Sequence, residues 1–585
     1  MKKLNHILIA SMVAAGALTG CSEDLLNVSN NNQMTTDNFG NDATSLQEAV
    51  IACYNHIRME GTFGRVGYNY DVCRGDEAWN SSQVWYLPYD DLNSEVTNEM
   101  NCWVYRDWLY TVNVCNYVLY KIPAAGVSTE YDRMRGQALF LRGLSYYILT
   151  GYYQTVPLVT DYKSYATLDG IYSSLDPQEK IIEQIKTDLK EAIELLPKRD
   201  EGGEWAKGRA TQGAAAGLLA KTLMFNHEYP EALTYLEDII KGTYGTYDLM
   251  SNYGANFQEG TAYENNKESL FEVQFLDYGQ QGTDDEWTPV NTSANATQGH
   301  AVESNYAAGN YGGWADISGS TWLYQLFKAE KTKDGKLDPR LYWTFGTYED
   351  DWTTSYPEGG YGNVYYTNPV DASSNIHTNN NYGGIPIVKN TNARTGILSA
   401  VVCGLKCGIN LRIIRLADIY LLAAEASNEV NGPNQKAIDY INKVRQRANL
   451  KDLALSDFAN ADALFEQIAN VERPKELGCE FGRGFDLIRW GWFYNEGRMT
   501  QLKQHGAEKH LKEEKGKAYE LYTAYPVESP DKTSFDYYRP GHEYIPYYQG
   551  TLNDNPNLGE GNSANTNTPN TPTFTVHPVV PGIGL

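Results

Sequence analysis

The sequence predicts a mainly α-helical protein in which helix pairs carry large irregular insertions with short strands. Three observations lead to this fold class. Apolar residues recur at helical spacing in several long segments, and two separate helix pairs share one pattern. Between residues 243 and 408 this periodicity stops, and Gly, Asn, Thr, Tyr and Pro crowd together instead. Irregular segments of that length in an ordered protein are usually functional loops.

Residues 45–242 contain the first helical half. Apolar side chains there repeat at intervals of three and four residues, which places them on one face of a helix. The clearest stripes are Leu46, Ala49, Val50, Cys53 and Ile57; Trp108, Val112, Cys115, Leu119 and Ile122; Met134, Ala138, Leu141 and Ile148; and Ile182, Ile185, Leu189, Ala192 and Leu196.

A sequence pattern that occurs twice in the chain indicates how the helices pair. Residues 231–239 align with residues 436–444, and each segment follows an Ala-rich helix, at 212–226 and at 412–428. Small residues at a helix crossing followed by this pattern are typical of tetratricopeptide-like packing. The alternative is that two unrelated amphipathic helices share the pattern by chance.

The rest of the chain divides by composition. Residues 243–408 form the irregular insertion, in which the alternating run 269–275 predicts a strand. Helices return over residues 409–499. Residues 500–585 are again irregular, and the Asn/Thr/Pro-rich segment 562–585 predicts a poorly ordered tail.

Charge and aromatic content narrow the class of ligand. The chain of 585 residues has a formal net charge of −25, which argues against nucleic acid and anionic lipid as partners. It contains 45 Tyr, 12 Trp and 16 Phe residues. Because buried Tyr and Trp need polar partners, we expect part of these aromatic residues at the surface. Flat sugar rings are suitable ligands for such exposed aromatic side chains.

The N-terminal residues have the features of a targeting segment. Lys2 and Lys3 precede a short apolar run, residues 7–18, and then Cys21. This order resembles the lipobox of bacterial lipoproteins, which implies a signal peptide over 1–20, lipidation of Cys21 and a tether over 21–44. An ordinary secretory signal is the alternative.

The other seven cysteines do not predict a metal site. They include no C-x-x-C pair, and their odd number means that they cannot all pair internally. One or two disulfides remain open. We expect no cofactor. A structural calcium ion at Asp334–Asp338 is the alternative, but the few oxygen ligands there favour a solvated turn.

Residues 471–490 pose the sharpest question. Glu472, Glu476, Glu480 and Asp486 are interspersed with arginines, and paired carboxylates could serve a glycosidase. Neighbouring arginines, however, lower the pKa of an acid, whereas a general acid needs a raised one. We therefore interpret the segment as an ion-paired helix end. The sequence does not explain why a proline, Pro474, occurs in it.

Four segments together resemble the SusD/RagB-like family of outer-membrane lipoproteins. They are residues 142–159, 415–426, 437–450 and 471–490, in the family's order along the chain. The resemblance implies about four tetratricopeptide-like helix pairs with ligand loops between them, and no catalysis. It also implies a lipid-anchored protein on the cell surface that delivers a captured glycan to a SusC-like TonB-dependent transporter.

The resemblance also carries the candidate site. The family's sugar-contacting loops match a region near 71–100 and the central insertion. We therefore expect stacking by Trp residues and hydrogen bonds from neighbouring polar groups, and we predict Trp103 and Trp108 as core residues. The candidate glycan-binding residues are Arg74, Asp76, Trp79, Asn80, Trp85, Trp287, Tyr306, Tyr311 and Trp314.

Three other functions stay open beside glycan capture. A peptide or another nutrient is the alternative ligand within the same family. A lipoprotein glycoside hydrolase using residues 472–486 is the remote one. A purely structural helical scaffold is the last, and the aromatic-rich insertions argue against it.

Overall fold

The frame of the molecule is a row of helices packed side by side. The computed structural model describes residues 39–80, 83–122, 126–275, 299–307, 313–314, 316–346, 385–392, 407–506, 510–512, 520–522, 534–559 and 561–584. In the first half the helices are α1 (Ala43–His56), α2 (Val66–Cys73), α3 (Leu87–Asp90), α4 (Met100–Lys121), α5 (Thr129–Tyr153), α6 (Leu168–Ile171), α7 (Gln178–Leu195), α8 (Arg199–Gly202), α9 (Gln212–Phe225) and α10 (Tyr229–Ile240).

The pairing in this half follows the predicted stripes. Helix α4 packs against α1 and α5, α5 packs against α7, and α9 packs against both α7 and α10. Helix α9 is buried on nearly all sides. Its small residues at 213–217 let neighbouring elements approach from several directions, as a helix that is apolar all round requires.

The central insertion supplies strands and short helices. Strand β1 (Ala78–Asn80) precedes it; within it lie β2 (Ser269–Val273), α11 (Val302–Tyr306), β3 (Ile317–Gly319), α12 (Thr321–Lys328), α13 (Pro339–Thr344) and β4 (Ile385–Pro386). The predicted strand at 269–275 is confirmed, and it pairs antiparallel with β5 (Leu411–Arg415). Strands β1, β3 and β4 form a second sheet in that order, with Trp79 opposite Ser318. This sheet joins the loop near 71–100 to the central insertion.

The second helical half repeats the arrangement of the first. Helix α14 (Leu416–Asn431) packs against α15 (Gln435–Arg447) and against α10. The two echoed segments are therefore the second helices of matching pairs, which confirms the tetratricopeptide-like fold class. The remaining elements are α16 (Ala461–Gln467), α17 (Arg473–Leu477), α18 (Arg483–Arg489), α19 (Glu496–His505), β6 (His510–Lys512), β7 (Glu520–Tyr522), α20 (Gln549–Asp554) and α21 (Ser563–Thr566).

The charged segment 471–490 is an ion-paired part of the core, as interpreted. Glu476 is fully buried and meets Arg415 at 2.5 Å, Arg340 at 3.2 Å and also Arg447. Burial alone would raise the pKa of Glu476, but these three guanidinium groups hold it well below its usual range. Such pairs fix geometry more than they add stability.

Pro474 has a structural reason. Residues 468–472 form a π-helical turn, in which the backbone N–H of Arg473 donates to the carbonyl of Ile468, five residues earlier. Pro474 has no N–H for the next bond of this kind, to Ala469. The Ala469 carbonyl instead accepts a hydrogen bond of 2.8 Å from Arg483 Nη1. The proline thus frees an acceptor for a buried arginine.

The C-terminal tail contacts both helical halves, and its poor order stays a prediction. Arg498 donates to the carbonyls of His577 and Pro578, both at 2.9 Å, and Phe574 stacks on His227 with ring centroids 3.8 Å apart. Apolar residues of the tail complete the contact, which composition alone did not reveal.

Three smaller expectations concern cysteines, metal and membrane. Within the described ranges, Cys53, Cys73, Cys102, Cys115, Cys407 and Cys479 are free thiols. The two aspartates of the calcium alternative contact protein groups: Asp338 pairs with Arg340, and Asp334 accepts a hydrogen bond from Asn449. In the part of the chain that the structure describes, no helix is long and apolar enough to cross a membrane.

Candidate binding cleft

An open cleft of about 500 Å³ lies between the loop after β1, the start of α4 and the segment before β3. Half of its eight lining residues are aromatic, and a few polar groups lie among them, a composition typical of ligand sites. The lining residues are Arg65, Gln83, Trp85, Tyr86, Met100, Trp103, Trp314 and Asp316.

Trp85 stands on a loop that Asn80 closes. The Asn80 side chain donates to the carbonyl of Gln83 at 2.7 Å and accepts from its N–H at 3.1 Å. Tyr86, the next residue, is buried and anchors the loop. Trp85 itself is 45% exposed and lines the cleft, and its contact with a ligand stays a prediction. Asn80 itself is buried, so its part is to shape the loop.

Trp103 has two surroundings, because it packs against the hydrophobic core, as predicted, and also lines the cleft. It is half-buried, whereas Trp108 is fully buried, as predicted. The step of five residues from Trp103 to Trp108 corresponds to a net rotation of about 140° around an α-helix, so the two rings face different sides. The spacing already contained this signal. Gly61 packs against the Trp103 backbone, where a Cβ would come within 2.3 Å of its carbonyl oxygen.

Trp314 enters the cleft from the central insertion. A Cβ at Gly313 would lie 2.0 Å from the Ala307 carbonyl oxygen, so this close bend requires glycine. The Trp314 N–H then donates to the carbonyl of Ser304 at 2.6 Å. The Arg65 guanidinium lies 5.6 Å from the centroid of the Trp314 ring, a cation–π distance. Trp314 is thus held half-buried with part of its ring open.

Two charged groups line the same cleft. Arg65 forms a buried ion pair with Glu60, and Asp316 accepts a hydrogen bond of 2.7 Å from Asn305 Nδ2. Burial raises the pKa of Asp316 to about 6, although that hydrogen bond and the charge of Arg65 oppose the shift. The cleft therefore offers aromatic faces together with a guanidinium and a carboxylate.

Several predicted residues lie elsewhere. Asp76 is buried and bound by Arg483 and His505, which hold its pKa low against the effect of burial; it ties the first loop to α18 and is out of a ligand's reach. Arg74 is also buried, 5.7 Å from the ring centroid of Tyr152. Tyr306 is fully buried.

Trp79 occupies the middle of β1, half-buried, and is not among the residues that line the cleft. Trp287, Tyr311 and Cys21 lie outside the described residues, so their assigned roles stay predictions.

Comparison with known families agrees with this architecture. The model of the SusD family matches residues 267–563, about half of the chain, and a model described as starch-binding and associating with the outer membrane matches residues 24–224. The chain belongs to the SusD family. The motif resemblance drawn from four segments of the sequence is thereby confirmed.

Individual relatives match most of the length of this SusD-family protein. SusD-like protein P2 of Formosa agariphila is 24% identical over 505 residues, which are 84% of this chain and 91% of the relative. A SusD superfamily protein of Bacteroides vulgatus has a solved structure that covers 89% of this chain and 98% of its own, with 23% identity and a TM-score of 0.67. A laminarin-binding SusD-like protein covers 88% and 97%, at 20% identity and a TM-score of 0.61. At these identities the solved structures establish the shared fold.

Proposed function

We propose that this SusD-family protein is a cell-surface lipoprotein that captures an oligosaccharide or polysaccharide in the cleft described above. We further propose that it passes this glycan to a SusC-like TonB-dependent transporter. The observation that carries the proposal is the convergence of Trp85, Trp103 and Trp314 on one open cleft of about 500 Å³. Indole faces stack on the apolar faces of pyranoside rings, and three of them can hold several sugars of one chain.

The polar groups of the cleft complete a sugar site. Gln83 and Asp316 supply an amide and a carboxylate at its wall, and sugar hydroxyls both donate and accept hydrogen bonds. A few placed polar groups among aromatic walls give orientation and specificity in such sites.

The comparisons support the same function. One matching family model is described as starch-binding and associating with the outer membrane, and one relative of known structure binds laminarin. Cys21, in its lipobox context, is the proposed attachment point for the membrane. A peptide or another nutrient is the alternative ligand, which the exposed indole of Trp85 disfavours.

A non-catalytic role fits the placement of the suspected acids. The carboxylates of residues 472–486 are buried and bound by arginines, so they do not reach a substrate. We therefore propose that the protein binds its glycan without cleaving it.

Affinity electrophoresis against a polysaccharide panel, followed by calorimetry, tests this function. We expect at least one glycan to bind the wild-type protein, and Trp85→Ala and Trp314→Ala each to weaken that binding. Trp205→Ala is the matched control, because Trp205 is a half-buried tryptophan away from the cleft, where Arg133 and Arg209 lie over its ring. Unchanged glycan affinity in both cleft variants would refute the site.

A further inference from the structure

Trp314 has a protein partner on one face of its ring. The Arg65 guanidinium lies over this indole, with its central carbon 5.6 Å from the ring centroid. That distance is within the range of a cation–π contact. A sugar that stacks on Trp314 therefore cannot use the face that Arg65 covers.

Arg65 is held in turn by the residue that begins the preceding turn. Arg65 Nε donates to Glu60 Oε1 at 2.5 Å, and Arg65 Nη2 forms an ion pair with the same oxygen. Both side chains are only 5% exposed, so little solvent screens the pair. Glu60 thereby fixes the guanidinium beside the indole and takes up part of its donor capacity.

The turn that carries Glu60 is fixed against helix α4. Residues 60–64 form a π-helical turn, a feature that is frequent at functional sites. The Gly61 N–H donates to Asp107 Oδ2 at 2.9 Å, and a Cβ at Gly61 would lie 2.3 Å from the carbonyl oxygen of Trp103. This one turn therefore contacts the backbone of Trp103 and, through Arg65, the ring of Trp314.

We propose that Arg65 is a positioning residue for glycan binding, which holds the Trp314 indole at a fixed angle to the cleft and acts on the ligand through that ring. This inference rests on the proposed glycan-binding function and adds how the site is prepared before the ligand arrives. A side chain that is ordered in advance spares the ligand the cost of ordering it on binding.

The competing role for Arg65 is a direct contact with the glycan. A residue that acts through Trp314 loses its effect on affinity once the indole is removed. A residue that contacts the ligand itself keeps its effect, because the two changes are then independent. A double-mutant cycle on Arg65 and Trp314 separates the two roles.

Calorimetry supplies the cycle, with laminarin and soluble starch as probes, or the panel glycan that binds if neither of these does. We expect Arg65→Met to weaken binding by about 3- to 10-fold in the wild-type background, the range for losing the advance ordering of one side chain. In the Trp314→Ala background the same change should alter affinity by less than about twofold. Burial raises the pKa of Glu60 to about 7, with Arg65 opposing the shift and Asp107 adding to it, so measurements at pH 8 keep the ion pair formed.

Fluorine NMR of the full chain labelled with fluorotryptophan gives a readout without any glycan. The Trp314 signal is assigned as the one that Trp314→Phe removes. We expect Arg65→Met to shift and broaden this signal, because the ring loses its support. Glu60→Gln, which removes the anchor of Arg65, should act on the signal in the same direction, and it replaces Arg65→Met in both experiments if that variant does not fold.

A second cation–π pair away from the cleft is the matched control. The Arg133 guanidinium lies 5.1 Å from the ring centroid of Trp205. Arg133→Met should change the Trp205 signal, which Trp205→Phe identifies, and leave glycan affinity as in the wild type.

The outcomes distinguish this inference from the proposed function. An equal loss of affinity on Arg65→Met with and without the Trp314 indole would show a direct ligand contact and overturn the positioning role alone. A Trp314 signal that Arg65→Met leaves unchanged would overturn it too. Failure of every glycan to bind the wild-type protein would overturn the proposed function and this inference with it.

Discussion

Replacing Trp85 with alanine gives the most direct measure of the cleft. The Trp85 side chain is 45% exposed, so roughly 90 Å² of the about 200 Å² that a tryptophan can bury is free to meet a ligand. A sugar ring on that face would cover between about half and all of this area. At about 25 cal/mol per Å², its loss costs about 1.1 to 2.3 kcal/mol of binding free energy.

The expected result is therefore a dissociation constant about 6- to 50-fold higher in Trp85→Ala than in the wild type. Isothermal calorimetry with the glycan found in the panel measures this change. Because Trp85 is largely a surface side chain, the free energy of unfolding should change by no more than about 0.5 kcal/mol. A chemical denaturation curve for the same sample checks that point.

Two results would refute the reasoning. One is a Trp85→Ala variant that binds the glycan as the wild type does, which would mean that no sugar rests on this ring. The other is an equal loss of affinity in Trp205→Ala, which would mean that the effect is not specific to the cleft.

Three further predictions concern the cleft, the core and the tail. Trp103→Ala should also weaken glycan binding, by up to about tenfold in a titration, because its half-buried ring lines the cleft; unchanged affinity would return Trp103 to a packing role. Glu476→Gln should lower the free energy of unfolding by about 3–5 kcal/mol in urea, because it leaves three buried guanidinium groups undercompensated, whereas the exposed Glu194→Gln should change little. Polysaccharide hydrolysis that Glu476→Gln abolishes would instead show an enzyme. His577 lies between Glu429 and Asp462, which raise its pKa against the effect of burial. The stability that it adds is complete below its unfolded-state pKa of about 6.5 and disappears as the pH rises through the higher folded-state value. The melting-temperature difference between wild type and His577→Gln should therefore shrink from pH 6 to pH 9, and a constant difference would contradict the pairing.

The sequence by itself determined the helical frame and the family. Apolar spacing at 3.6 residues predicted which faces of α1, α4 and α7 turn inward, since burial of an amphipathic stripe is a local property of the chain. The pattern repeated at 231–239 and 436–444 likewise located the second helix in each of two helix pairs. The alternation of acids and arginines in 471–490 was enough to predict ion pairing, because each arginine lowers the pKa of a nearby acid.

The tertiary structure alone decided which residues form the cleft. The loop after β1 and the segment before β3 are more than 200 residues apart, and only the pairing of these strands brings Trp85 to Trp314. A separate contact, with Arg483 of α18, holds Asp76 inside the protein, so a residue that resembled a sugar ligand is part of the core. Sequence spacing describes one element at a time, whereas exposure depends on what the rest of the chain places over each side chain.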